Sequence, residues 1–174
     1  MEKIHILHSR RILFRNFTEE DKNQDLDIFR NKNINCFIGQ EIKDKNELID
    51  KLISSNKNGE LFIWHLVKIG ENKSLGMAIV KIKEKIATIK ILISDKVKNR
   101  GYGTEAMESL IHEIFTEAWA SRIEVKSKKE NGPWIEVIKK AHFEKFKEDK
   151  TFSYYKITNL DYMKYFAIYG EIDI

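Results

Sequence analysis

The sequence predicts a single α/β (α+β) domain over residues 1–174, a mixed and mostly antiparallel sheet of about six to seven strands flanked by about four helices. Three observations carry that expectation. Residues 61–95 read as three successive apolar strands joined by polar turns, the period changes from strand to helix at Thr104, and strand and helix patterns alternate from there on.

The elements can be justified in order. RILFRNF (residues 11–17) alternates like a first strand, and TEEDKNQDLDIFRN behind it offers Thr18 as a cap with acids in the first turn, which predicts a helix. KDKNELIDKLISSNKNG sets Leu48, Ile49, Leu52 and Ile53 at helical spacing and ends in a polar turn containing Gly59, a second helix. LFIWHLVKIGENKSLGMAIVKIKEKIATIKILISD gives an antiparallel meander with GENKSLG and KEK as its turns. From Thr104, residues Ala106, Met107, Leu110, Ile111, Ile114, Phe115, Ala118 and Trp119 form one apolar stripe of about four turns. RIEVKS is a short strand, and Pro133 opens a further helix with Trp134, Ile135, Val137, Ile138 and Ala141 as its apolar positions. FEKFKEDKTFSYYKIT closes as a hairpin, followed by a polar helix or tail.

Composition narrows the class. With 42% hydrophobic and 33% charged residues the chain suits one soluble domain. Its longest apolar runs fall short of the roughly 18 residues that span a bilayer, and MEKIHILHSRR lacks a small-residue cleavage site, so a cytoplasmic protein without a membrane partner is expected. The single cysteine, Cys36, excludes an internal disulfide and a multi-cysteine zinc site, and reads as a free structural thiol. His5, His8 and His112 share no ligand spacing with any acid, so no metal is expected. Net charge is +4, with 31 basic against 27 acidic side chains, too balanced to name a nucleic-acid partner. It is uneven, however: residues 81–100 hold Lys81, Lys83, Lys85, Lys90, Lys96, Lys98 and Arg100 against Glu84 and Asp95, a strip of net +5 that would draw a small anion or simply be a solvated face.

The stretch KVKNRGYGTEAMESL (residues 96–110) sits where the strand IKILISD meets the long amphipathic helix. Gly101 and Gly103 permit unusual backbone angles and close approach of a ligand to the main chain, and the first N–H groups of the helix, at its positive dipole end, converge on one spot suited to a phosphate. A plain structural turn fits the glycine pair equally well. The spacing is not that of a P-loop, and a dinucleotide-binding turn would follow the first strand of a parallel unit, whereas this one follows an antiparallel meander.

At that point the sequence resembles the GNAT superfamily of N-acetyltransferases, whose Arg/Gln-x-x-Gly-x-Gly/Ala turn cradles the pyrophosphate of coenzyme A. The likeness covers nearly the whole chain and is greatest to the branch that acetylates ribosomal-protein N-termini: LHSRRILFR (residues 7–15) resembles its opening strand, GYGTEAM its loop and helix start, KENGPWIEVIKKAHF its second cofactor segment and SYYKITNLDY its final strand. The resemblance implies that Lys98, Asn99, Arg100, Gly101, Tyr102, Gly103 and Thr104 surround the pyrophosphate of acetyl-CoA. It further implies that main-chain groups of Leu92 and Ile93 bond the pantetheine arm like an added strand, that the Ile93 amide polarises the thioester carbonyl, and that Asn131 reaches the cofactor from the opposite side. Lys98 replaces the family's Arg or Gln, keeping charge but losing the planar fork.

The chain departs from the family at the proton-transfer positions. Trp134 and Ile138 stand where the family has a Ser or Tyr hydroxyl, Thr88 where it often has a Glu, and His142 where it has a glycine, which suits a left-handed cap. Tyr155 is a candidate acid on the closing strand, where alternation sends only one of Tyr154 and Tyr155 toward the cleft, and strand packing is the plainer role for either. His65 reads as a satisfied sheet residue, and the three tryptophans as core or pocket wall. Without an obvious base, an α-amine of pKa about 7.7–8.0, roughly a quarter neutral at about pH 7.4, is an easier acceptor than a lysine amine near 10.4. The expected activity is therefore direct acetyl transfer from acetyl-CoA to a peptide N-terminal α-amine or a small-molecule amine in a ternary complex, by a monomer or homodimer. Two alternatives stay open: a coenzyme-A-binding sensor or interaction module whose chemistry has decayed, and, last, an RNA-associated protein.

Overall fold

The computed structural model describes residues 7–24, 26–31, 34–39, 41, 43–55 and 59–167. The opening MEKIHI and the end of the tail lie outside the described residues, as does the side chain of Cys36.

Eight strands make one sheet: β1 (Leu7–His8), β2 (Ile12–Arg15), β3 (Leu61–Lys68), β4 (Lys73–Lys83), β5 (Ile86–Ile93), β6 (Arg122–Lys128), β7 (Glu144–Glu148) and β8 (Phe152–Thr158). Their spatial order is β1-β2-β3-β4-β5-β6-β8-β7, and every neighbouring pair is antiparallel except β5 and β6. Among the described residues the helices are α1 (Ile34–Ile38), α2 (Lys45–Ser55), α3 (Tyr102–Thr116), α4 (Gly132–Lys140) and the single turn α5 (Asn159–Tyr162), which runs into a π-helical turn, Met163–Ala167.

Local chemistry explains most boundaries. The KEK turn between β4 and β5 holds Glu84 and Lys85 at φ of 52° and 63°, the pair of left-handed residues that a two-residue hairpin turn matched to strand twist requires. In α4, Asn131 accepts the Trp134 N–H on its side chain and Pro133 occupies the first turn, while His142 takes the left-handed φ of 62° just beyond the end.

Three expectations are corrected. Among the described residues the strand count is eight, because β1, with only two residues, is too short to show a period. The helix expected after Thr18 is instead two 3-10 turns, Glu19–Asn23 and Asp27–Arg30, followed by α1. Thr18 does cap the first turn through a reciprocal box with Asp21, but Asp21 is pinned to β2 by Arg15 Nη1 and Nη2 at 2.9 and 2.8 Å, which stops the turn from propagating into a helix. The α3 stripe ends at Thr116, since Ala118 at φ 54° breaks the helix, although Trp119 still stacks on Phe62 at 4.8 Å.

Alternation along the strands divides the core in two. One face packs Ala87, Ile89, Ile123 and Val125 beneath α3 and α4, and the other packs Ile63 and Met77 against Phe17, Leu26, Leu48 and Leu52 from the 3-10 turns and α2. β5 and β6 pair only from Ile86↔Arg122 to Thr88↔Glu124. Beyond Thr88 they diverge, and their C-terminal halves form the two sides of a V.

Candidate active site

The V opens beside an unpaired strand edge. Ser94 N–H donates to Leu75 O at 2.8 Å, and the Leu92 carbonyl oxygen lies against Gly76, so both main-chain groups face β4. Because a strand alternates its polar groups as well as its side chains, those of Ile91 and Ile93 face the other way, into the V. Of the two residues singled out for the pantetheine arm, Ile93 therefore offers its main chain there, whereas Leu92 reaches the same region through its side chain.

This geometry depends on a close approach of two strands. Gly76 pairs with Ile93 at the end of a regular β4–β5 ladder, and the β3–β4 register shifts beside it, between Leu66 and Val67. Gly76 has φ 156°, and a Cβ there would overlap the Leu92 carbonyl oxygen and stand 3.0 Å from Ile93 Cα. Only glycine lets β4 come this close to the end of β5.

From Ser94 the chain makes a 3-10 turn, Asp95–Val97, and enters α3 through residues 98–101. Asn99 at φ 59° and Gly101 at φ 82° are both left-handed, and Gly101 is the N-cap of α3 with no side chain capping the helix. The free N–H groups of the first turn, at Tyr102, Gly103 and Thr104, are thus left for an external acceptor. Lys98 and Arg100 flank the turn, and Lys98 Nζ forms an exposed ion pair with Asp95. Gly103 leaves space: a Cβ would meet only Ile93 Cγ1 and Val137 Cγ2, both at 3.7 Å.

The turn is fastened from the link between β1 and β2. Arg11 donates from Nε to Glu105 Oε2 (2.6 Å) and from its main chain to Oε1 (2.8 Å), with Ser9 Oγ also donating to Oε1 (2.7 Å). Both terminal guanidinium nitrogens donate to Arg100 O at 3.2 Å, and the guanidinium lies 4.4 Å from the Tyr102 ring centroid. Burial would raise the Glu105 pKa, but the Ser9 and Arg11 donors outweigh it and hold the carboxyl below its ordinary range.

The V itself is a cleft of about 290 Å³. β5 lines it from Ile89 to Leu92, and β6 with Lys126, Ser127 and Lys128. Asn131 and Trp134 of α4 close one side, with the indole N–H donating to Lys126 O at 3.3 Å, and Phe37 and Phe152 close the other. Asn131, 27 residues beyond Thr104 in sequence, is thereby brought to the cleft that Ile91 and Leu92 line from β5.

Most of the chain also matches known folds. A model of the acetyltransferase (GNAT) domain matches residues 11–144. The chain belongs to the GNAT acetyltransferase family. This GNAT chain is similar in fold to a GNAT-family acetyltransferase from Bacillus anthracis, with a TM-score of 0.72 at 21% identity over 89% of this chain and 99% of that one. It is also similar to the ribosomal-protein-S5-alanine acetyltransferase from Vibrio fischeri (TM-score 0.71, 15% identity, 90% and 97% covered). A third is the N-acetyltransferase PseH from Campylobacter jejuni, solved in complex with acetyl coenzyme A (TM-score 0.62, 16% identity, 84% and 98% covered). No curated protein sequence matches the chain.

The proton-transfer candidates in this GNAT domain are placed as follows. Tyr155 is buried at 5% exposure on the α3 and α4 side of the sheet, opposite Val125. Tyr154 points the other way and donates to Asp149 Oδ2 at 2.8 Å. Ile138 is fully buried and Trp134 lines the V. His65 is buried on the opposite face, stacked on Phe17, with Nε2 2.8 Å from Ser74 Oγ and Nδ1 3.3 Å from Asp21 Oδ1. Burial lowers its pKa against the pull of Asp21, so it is neutral, with Nδ1–H toward Asp21 and Nε2 accepting from Ser74. Burial would raise the Asp21 pKa, yet Arg15, His65 and the Thr18 N–H together hold it well below the carboxylate range. Among the described residues no group of three His, Cys, Asp or Glu could hold a metal ion, and no helix is long and apolar enough to cross a membrane.

Residues that sequence reasoning missed are Arg11, Gly76, Ile91, Lys126 and Lys128. Arg11 lies in the quoted opening strand, but nothing local to it announces a contact with Glu105, 94 positions away.

Proposed function

We propose that the protein is an acetyl-CoA-dependent N-acetyltransferase that joins acetyl-CoA and an amine in one ternary complex. The observation that carries this reading is the meeting, at the end of β5, of a left-handed Gly101 cap with uncapped helix N–H groups and an unpaired strand edge at Ile93. Bound acetyl-CoA supplies the activated acetyl thioester. The first-turn amides of α3, with Lys98, Asn99 and Arg100 around them, are suited to its pyrophosphate, and the Ile93 edge and Asn131 to its pantetheine arm from the two sides of the V. In this reading the Ile93 N–H donates to the thioester oxygen as negative charge grows there. The amine nitrogen attacks the carbonyl carbon, the C–S bond breaks, and the amine proton leaves through water.

Among the described residues no carboxylate or imidazole lines the cleft, which supports an acceptor that arrives largely neutral, a peptide α-amine or a small amine of low pKa. Tyr155 is the hydroxyl assigned as candidate proton donor. Tyr155→Phe separates the roles: a kcat loss of about tenfold or more with unchanged KM supports donation, and unchanged kcat leaves protonation to water.

The test is thiol release from acetyl-CoA with a peptide bearing a free α-amine and with its N-terminally blocked, lysine-bearing counterpart. Amine-dependent release, faster with the α-amine, supports the reading. Equal rates with both sink the acceptor argument. Acetyl-CoA binding without release for any amine favours the decayed cofactor-binding module, a reading that Trp134 and Ile138 at the usual hydroxyl positions support.

A further inference from the structure

We propose that the acceptor carries an anionic group, carboxylate or phosphate, close to its amine, and that Lys90, Lys126 and Lys128 receive it. This rests on the acetyltransferase reading and deepens it by naming the class of acceptor. The cleft at the V draws Lys90 from β5 and Lys126 and Lys128 from β6, and among the described residues no acid lines it. Alternation places all three on the α1 and α2 side of the sheet, since their strand neighbours Ile89, Val125 and Ser127 are the buried ones packed toward α3 and α4. The phosphate-binding turn belongs to α3, on the other side, so the lysine wall is a second cationic feature and not an extension of the first.

Two of these side chains are oriented by the cleft wall. Lys90 Nζ donates to Phe37 O at 3.1 Å, and Lys126 Nζ stands 4.8 Å from the Phe152 ring centroid. The three ammonium groups stand exposed beside the aromatic wall of Phe37, Phe152 and Trp134, and their fields add in the cleft. An amine entering this field is pushed toward its neutral, nucleophilic form, because nearby ammonium groups disfavour its protonation. The same field repels an acceptor whose only charge is cationic. An anion beside the amine offsets that repulsion, steers the acceptor in and fixes it with the nitrogen toward Ile93.

The experiment measures acceptor kcat/KM for two matched pairs, an aspartyl against an asparaginyl peptide of otherwise identical sequence with free α-amine, and glucosamine 6-phosphate against glucosamine. It uses the wild type and a Lys126→Glu, Lys128→Glu double variant, both exposed positions, with acetyl-CoA affinity followed by calorimetry. The expected result is a preference of about tenfold or more for the anionic member of at least one pair, carried in acceptor KM, reduced by salt and lost or inverted in the variant. Which pair shows it identifies carboxylate or phosphate as the source. Turnover without preference in either pair, or a preference that survives charge reversal, overturns the proposal and leaves the acetyltransferase reading intact. Weaker acetyl-CoA binding in the variant, with acceptor KM unchanged, also overturns it, by assigning the lysines to the cofactor's phosphates. Absence of thiol release from all four amines, with acetyl-CoA bound, removes the acetyltransferase reading and this proposal with it.

Discussion

Replacing Gly76 by alanine tests whether the close approach of β4 to the end of β5 is what presents the Ile93 edge. A Cβ at residue 76 would overlap the Leu92 carbonyl oxygen and stand 3.0 Å from Ile93 Cα, and both obstacles are backbone that cannot rotate aside. Restoring normal contact requires β4 and the end of β5 to separate by roughly 1 Å, in an interior packed too closely to absorb it. That separation stretches the ladder around Leu92 and Ser94, where Ser94 N donates to Leu75 O at 2.8 Å. Losing two backbone hydrogen bonds at about 1 kcal/mol each, with some repacking, gives a destabilisation of about 2–3 kcal/mol. For a chain of this size that lowers Tm by roughly 4–12 °C. Differential scanning calorimetry reads the shift, and acetyl-CoA titration reads the second consequence, weaker binding as the Ile93 edge moves out of line with α3. A Gly76→Ala protein with Tm within about 2 °C of wild type and unchanged affinity would refute the reasoning.

Three further outcomes follow from the same contacts. Gly101→Ala forces a Cβ onto φ 82° and should cost about 1–2 kcal/mol, whereas Gly103→Ala, with its nearest contacts at an ordinary 3.7 Å, should leave Tm unchanged or slightly raised while weakening acetyl-CoA binding; thermal melts beside calorimetric titrations check both. Arg11→Met removes the tie between the β1–β2 link and the turn; because Arg11 is partly exposed, the stability loss should be only about 1–2 kcal/mol, but acetyl-CoA affinity should fall several-fold as the Arg100–Tyr102 backbone loosens. His65, whose folded pKa is depressed, binds a proton more readily in the unfolded chain, so stability should fall as pH drops below about 6.5, by up to ~1.4 kcal/mol per pH unit; Asp21, also depressed when folded, adds its own loss only below about pH 4. Urea unfolding between about pH 7.5 and 5 should show the first slope in wild type and a shallower one in His65→Gln.

What could be read from the sequence was what neighbouring residues decide. The meander announces itself by apolar runs and the KEK turn, and α3 by its stripe, because each pattern is local and its period uninterrupted. Gly101 was legible as a special backbone position for the same reason, and its φ is 82°. The 3-10 turns after Thr18 were not, because Asp21 is claimed by Arg15 and His65, which arrive from two different strands. The basic strip of residues 81–100 was visible as charge but not as geometry: the fold sends Lys90 into the cleft, pairs Lys98 with Asp95, and adds Lys126 and Lys128 to that cleft from β6. The V itself was invisible in the residues, since it arises where β5–β6 pairing stops at Thr88 while β5 stays paired with β4 as far as Ile93. Arg11 illustrates the same limit, its partners being Arg100 and Glu105 at the far end of the sequence.

The most direct test of the central claim is calorimetric titration of acetyl-CoA into the wild type and into a Gly101→Asp, Gly103→Asp double variant shown to be folded by its melting transition. Saturable binding by the wild type, weakened about a hundredfold or more in the variant, is the predicted result, because two carboxylates would then occupy the space and invert the charge at the N-terminus of α3. A folded wild type that does not bind acetyl-CoA, or a variant that binds it equally well, would reduce the turn at residues 98–104 to a junction between strand and helix and contradict the account.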